Sequence, residues 1–75
     1  MSEDIFLQAS RDAKDLVRRI GPDDYETLKQ YWQKKSFTLI AYTLRRYGIE
    51  FKGITYLEAL MAELIKMKEK KEISH

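Results

Sequence analysis

The sequence predicts an all-α fold, a three-helix bundle with a long central helix, whose apolar faces self-association could extend into a larger bundle. Three observations predict it. Apolar residues recur at helical spacing over about residues 2–20, 23–47 and 55–71. Lys, Glu, Leu and Ala are numerous, and there is one Pro. Glycines at 21, 48 and 53 punctuate the gaps between the three patterns. One domain is expected over 1–75, with a charged, frayed tail at 72–75.

In the first helix Ile5, Phe6, Ala9, Ala13, Leu16, Val17 and Ile20 share one arc, and Phe6, Ala9, Ala13, Leu16 and Ile20 form a coiled-coil-like seam. Leu7 points the other way, among Arg11, Lys14 and Arg18. Ser2 is the expected N-cap, with Glu3 and Asp4 complementing the helix dipole. Gly21 in a left-handed conformation and Pro22 should end this helix. Asp23 and Glu26 then open the next as an acidic capping box.

The second helix, over about 23–47 and roughly 37 Å long, carries two apolar sets. Tyr25, Leu28, Trp32 and Leu39 lie on one side; Phe37, Ile40, Leu44 and Tyr47 lie about 120° round from them. A helix apolar on two sides needs two neighbours, so it should be central, with Trp32 and Leu39 buried. Gly48 should cap it with Ile49 as the accompanying hydrophobic contact. Thr55 and Glu58 should form the capping box of the third helix. There Tyr56, Leu57, Leu60, Met61, Leu64, Ile65 and Met67 cover about half the wheel.

The arginine doublets Arg18–Arg19 and Arg45–Arg46 each precede a glycine stop, where cations stabilise the negative end of a helix dipole. In a simple bundle they lie at opposite poles, roughly 35 Å apart by helix length, and cannot form one clamp. Net charge is +2, and it resides in the middle segment: residues 21–48 carry five cations and three acids, while the flanking segments are balanced. Lys29, Lys34, Lys35, Arg45 and Arg46, flanked by Tyr31 and Tyr42, are the candidate nucleic-acid contacts. A helix-turn-helix across residues 43–66 is disfavoured, because six residues at 48–53 exceed its three- to four-residue turn. A ribbon-helix-helix lacks its leading strand.

The wide arc of the third helix raises a different possibility. The arc is expected first of all to fill the domain's own core. The alternative is that Leu57, Met61 and Ile65 are the candidate face for a protein partner or a second copy, methionine being well suited to adaptable contacts. Catalytic chemistry is poorly represented. There is no Cys, the one His is His75, and the serines have no neighbouring base. No phosphate loop or metal-ligand spacing occurs. Neither an enzyme nor a cofactor, metal or small-molecule substrate is expected.

No apolar run approaches the roughly 20 residues of a membrane span, and the first residues are acidic, so a cytoplasmic protein without membrane contact is expected. Asparagine is absent and over a third of residues are charged with both signs mixed, a bias hyperthermophile proteins share. The leading functional expectation is a small accessory or adaptor subunit. It would bind a larger protein, such as a nucleic-acid-processing enzyme, or itself, through apolar helix faces. The second is a weakly basic nucleic-acid-binding module using the middle helix.

Overall fold

A computed structural model describes residues 4–73, with side chains placed for residues 4–70. The predicted Ser2 cap, Glu3 and the end of the tail, including His75, lie outside the described residues. Four helices and no strand are present among the described residues: α1 (Ile5–Arg19), α2 (Pro22–Gln33), α3 (Phe37–Arg45) and α4 (Ile54–Ile73). The all-α class holds, but the long second helix is two helices, and the bundle has four members. No described helix is long and apolar enough to cross a membrane.

α1 starts where Asp4 accepts a hydrogen bond from the Phe6 amide at 3.0 Å, satisfying one of the orphan amides of the first turn. Its seam buries Ala9, Ala13, Leu16 and, past the helix end, Ile20, while Phe6 at the exposed end lies outside it. The two fully buried alanines let the α1 backbone approach α4 closely. α4 runs in the same direction as α1. Near its start the Tyr56 hydroxyl donates to Asp12, midway along α1. Near its far end the Lys68 ammonium lies 5.3 Å from the Tyr25 ring, just beyond the end of α1.

Gly21 departs from the expected left-handed stop. Its backbone is extended (φ −77°, ψ 160°), and it serves as the N-cap of α2 with Pro22 in the first turn. Proline suits that position because the amide it lacks would be unpaired there anyway. Asp23 and Asp24 complement the dipole from inside the first turn, so the expected Asp23–Glu26 box is displaced.

The break between α2 and α3 is a three-residue connection at 34–36. The Ser36 amide donates to the Tyr31 carbonyl (2.9 Å) and the Lys35 amide to the Trp32 carbonyl (3.1 Å), with Lys35 left-handed at φ +57°. Gly48 closes α3 the same way (φ +81°), with bonds from Ile49 to Leu44 (3.1 Å) and from Gly48 to Arg45 (3.0 Å). These are Schellman closures, and the second carries the buried Ile49 contact expected of it. The first uses lysine where glycine is usual. Trp32 and Phe37 brace the turn edge to face at 6.2 Å, and the Lys35 ammonium sits 4.5 Å from the Trp32 ring.

Packing explains the break. The two apolar sets of residues 23–47 are about 120° out of phase, so one straight helix can turn only one of them to a given neighbour. Folding back lets Tyr25 and Leu28 of α2 and Ile40 and Leu44 of α3 enter the same core. Fully burying Ile40 and Leu44 contributes about 1.5–3 kcal/mol each, against about 1–2 kcal/mol for a left-handed lysine. The core wins. Leu39, expected inside, then faces out at 44% exposure, and Trp32 is only half-buried.

The central helix is instead α4, which meets α1, α3 and the side chains of α2 and thereby buries its wide arc. α4 begins one residue before the expected cap. Gly53 (φ +104°) accepts the first helical bond from Leu57 at 3.1 Å, placing Thr55 inside the first turn, so the Thr55–Glu58 box does not form.

Candidate docking surface

The break turns one face of α3 inward and leaves the other on the surface. Ile40, Thr43 and Leu44 are buried, while Thr38, Leu39, Tyr42, Arg45 and Arg46 are exposed. Along one flank Phe37, Thr38, Ala41, Tyr42 and Arg45 repeat at helical spacing and meet Phe51 of the α3–α4 loop and Ile54 of the first α4 turn. Together they line an open groove of about 370 Å³. Tyr42, Phe51 and Ile54 are exposed at 64%, 53% and 44%. The groove holds no carboxylate. Its polar groups are the Thr38 and Tyr42 hydroxyls and the Arg45 guanidinium, so it can receive apolar side chains and one anion. A second, more polar hollow, lined by Asp24, Thr27, Tyr31, Thr43 and Arg46, lies on the other side of Tyr42, which stands as the ridge between them.

The arginine doublets are not at opposite poles. Because α3 folds back on α2, its C-terminal end returns to the end of α1, which corrects the 35 Å separation expected of an unbroken helix. The Arg19 guanidinium donates to the Tyr47 carbonyl (2.8 Å) and pairs with Asp15 (2.8 Å), with its centre 5.8 Å from the Tyr47 ring. Arg46 pairs with Asp24 at 3.1 Å, and the Tyr47 hydroxyl also donates to Asp24. That bond to Asp24, aided by burial, raises the Tyr47 phenol above its ordinary pKa. Arg18 reaches only its own helix, at 3.6 Å from Asp15. The doublets therefore join three helix ends, and Arg45 alone of the four lines the groove.

The remaining candidate nucleic-acid contacts do not form one stripe. Lys29 pairs with Glu69 of α4 at 3.0 Å, which raises its pKa through that hydrogen bond and the adjacent charge. Lys34 and Lys35 are exposed at the turn, whereas Arg45 and Arg46 sit at the open end of the hairpin. Lys34, Lys35 and Arg45 have no acidic partner among the described residues.

On α4 the candidate residues take the core positions first expected of them. Leu57 and Met61 are fully buried in the domain's own core, and Ile65 is half-buried against it. Their burial follows from α4 having α1 on one side and α3 on the other. Besides Phe6 and Leu39, the exposed apolar residues that sequence reasoning missed are Phe51 and Ile54. A large apolar residue, Phe51, in a loop flanked by glycines, with Ile54 just past the second of them, was the available signal.

Beside the groove, Tyr56 is fully buried, and burial together with its bond to Asp12 pushes its phenol well above the ordinary range. Lys52 completes this anchor, 3.9 Å from Asp12 and 4.8 Å from the Tyr56 ring. Among the described residues no group of three or more His, Cys, Asp or Glu could hold a metal. Comparison with protein-family models, curated proteins and solved structures returned no match.

Proposed function

We propose that the protein is a small accessory subunit that binds a larger protein through the groove between α3 and the Phe51–Ile54 segment. The supporting observation is the contiguous exposure of Tyr42, Phe51 and Ile54 beside a core that is already closed by other residues. A clustered apolar patch costs solubility and is retained where a partner covers it. Each of the three is about half exposed, so covering them recovers roughly 1 kcal/mol apiece. Association entropy costs several times that. The groove alone thus gives modest affinity, and flanking contacts must supply the rest, as suits a reversible adaptor.

Residues 27–49 contain five cations and no acid, which favours nucleic acid as the second reading. Only Lys34, Lys35 and Arg45 remain for phosphates, and they are divided between the two ends of α3. A nuclease-controlled capture experiment separates the readings. The tagged protein and its Tyr42→Glu, Phe51→Glu variant are each exposed to native lysate with and without nuclease. A partner that survives nuclease and is lost with the variant supports the adaptor reading. A partner lost to nuclease, or one the variant still holds, refutes it.

A further inference from the structure

The groove's chemistry points to a specific class of occupant, and the inference rests on the docking reading above: we propose that it receives an amphipathic α-helix with an acidic flank. Backbone satisfaction is the first argument. A docked extended peptide must pair its amides and carbonyls with its host, usually by joining a sheet edge. The described residues contain no strand, the α3 backbone in the groove wall is paired within its own helix, and the groove's polar side-chain groups are two hydroxyls and one guanidinium. An extended segment would bury unpaired backbone groups there, each at substantial cost. A helix brings its hydrogen bonds with it.

Length is the second argument. Thr38 to Arg45 spans about 10 Å along α3, two helical turns, which matches apolar anchors spaced i, i+4 and i+7 on an incoming helix. Tyr42, Phe51 and Ile54 would receive those anchors.

Charge is the third. The lining contains Arg45 and no acid. Lys35, two residues before Phe37, has no acidic partner among the described residues, whereas Arg46 and Lys52, next to the lining, are paired with Asp24 and Asp12. A carboxylate on the incoming helix would meet Arg45 at one end of the groove, while a basic helix would be repelled. A single nucleic-acid strand is the less favoured occupant. It needs a continuous cationic track, and here the cations lie at the two ends of α3 with apolar side chains between them.

The test is selection from a displayed library of random peptides of about 15 residues, roughly four helical turns. Wild-type protein is the bait, and the Tyr42→Glu, Phe51→Glu variant is the counter-bait. Tyr42→Ala with Phe51→Ala serves as a second counter-bait should the glutamates unfold the domain, with helicity checked by circular dichroism. The expected winners carry an i, i+4, i+7 apolar stripe and net negative charge, and they bind only the wild type. Arg45→Glu should weaken a synthetic winner about five- to tenfold, and replacing its Glu residues by Lys should restore binding to that variant.

Groove-dependent winners that are proline-rich, extended or basic would overturn the acidic-helix proposal and leave the docking surface standing. Absence of any groove-dependent winner would overturn both. A labelled single-stranded oligonucleotide that binds more tightly than the best peptide, and loses that binding with Tyr42→Ala, would replace the helix by nucleic acid.

Discussion

Lys35 separates a hairpin from a continuous helix by the sign of a single stability difference. It is in the left-handed region at φ +57°, where any residue with a Cβ is strained by about 1–2 kcal/mol. Glycine escapes that strain but has more conformational freedom to lose on folding, about 0.4–1 kcal/mol. Comparing Lys35→Gly with Lys35→Ala, rather than with the parent, removes the Lys35–Trp32 ring contact from both sides. In the hairpin, glycine should therefore be more stable than alanine by about 1 kcal/mol. In an unbroken helix alanine would win by about 0.8–1.0 kcal/mol. For a domain of this size 1 kcal/mol moves the melting temperature by about 4–8 °C. Thermal unfolding of the two variants by circular dichroism reads the difference directly. A Lys35→Ala variant that melts above Lys35→Gly would refute the break at 34–36 and the groove that depends on it.

Three further outcomes follow from the same packing. Ile40→Ala should cost about 2–5 kcal/mol and Leu39→Ala under about 1 kcal/mol, as for a residue near half exposure; denaturant titration that ranks them the other way would rotate α3. Arg19→Gln should lose up to about 1 kcal/mol through its bond to Tyr47, whereas Arg18→Gln should stay within about 0.5 kcal/mol; equal melting temperatures would remove the cross-helix role of Arg19. Stability should be level up to about pH 10 and fall above it, because the raised phenols of Tyr56 and Tyr47 favour the protonated form in the fold while the unfolded chain ionises near pH 10. The raised Lys29 acts in the same direction. Tyr56→Phe should flatten that decline, and an unchanged slope in alkaline unfolding curves would exclude the Tyr56–Asp12 pair as its source.

What the sequence made legible was local. The Ala9, Ala13, Leu16 and Ile20 seam, the boundary at Gly21 and Pro22, the Gly48–Ile49 closure and the apolar arc of α4 each depend on spacing or on one residue's backbone preference. The turn at 34–36 was hidden because it contains neither Gly nor Pro, and Lys35 accepts strain that the core offsets. Its trace was the phase jump between Leu28 and Ile40, which fits either one helix with two neighbours or two helices with one. Ser36, a residue type favoured at helix starts, stands at the junction. The groove was illegible for a different reason. Phe51 and Ile54 meet α3 only because the connection after Gly48 folds back along it, and no periodicity reports a contact between a helix and an irregular loop.

The same break determines what the arginine doublets do. In a straight helix Arg45 and Arg46 would face solvent far from α1, and dipole capping would be their whole effect. Folded back, Arg46 is drawn to Asp24 of α2, and Arg19 reaches the Tyr47 carbonyl beyond α3, so one arginine of each pair ties helix ends together. These pairs are exposed, and each contributes little by itself. Their shared position matters more, since they hold the open end of the hairpin while the Trp32–Phe37 contact holds its turn. α3 is thereby supported at both ends, with its inner face in the core and its outer face unoccupied. A rigid helix with one apolar stripe free is well suited to receive another helix, because little conformational entropy remains to be lost on its own side. Arg45, left out of the tie and set in the groove lining, is the one member of the doublets whose charge a partner would meet.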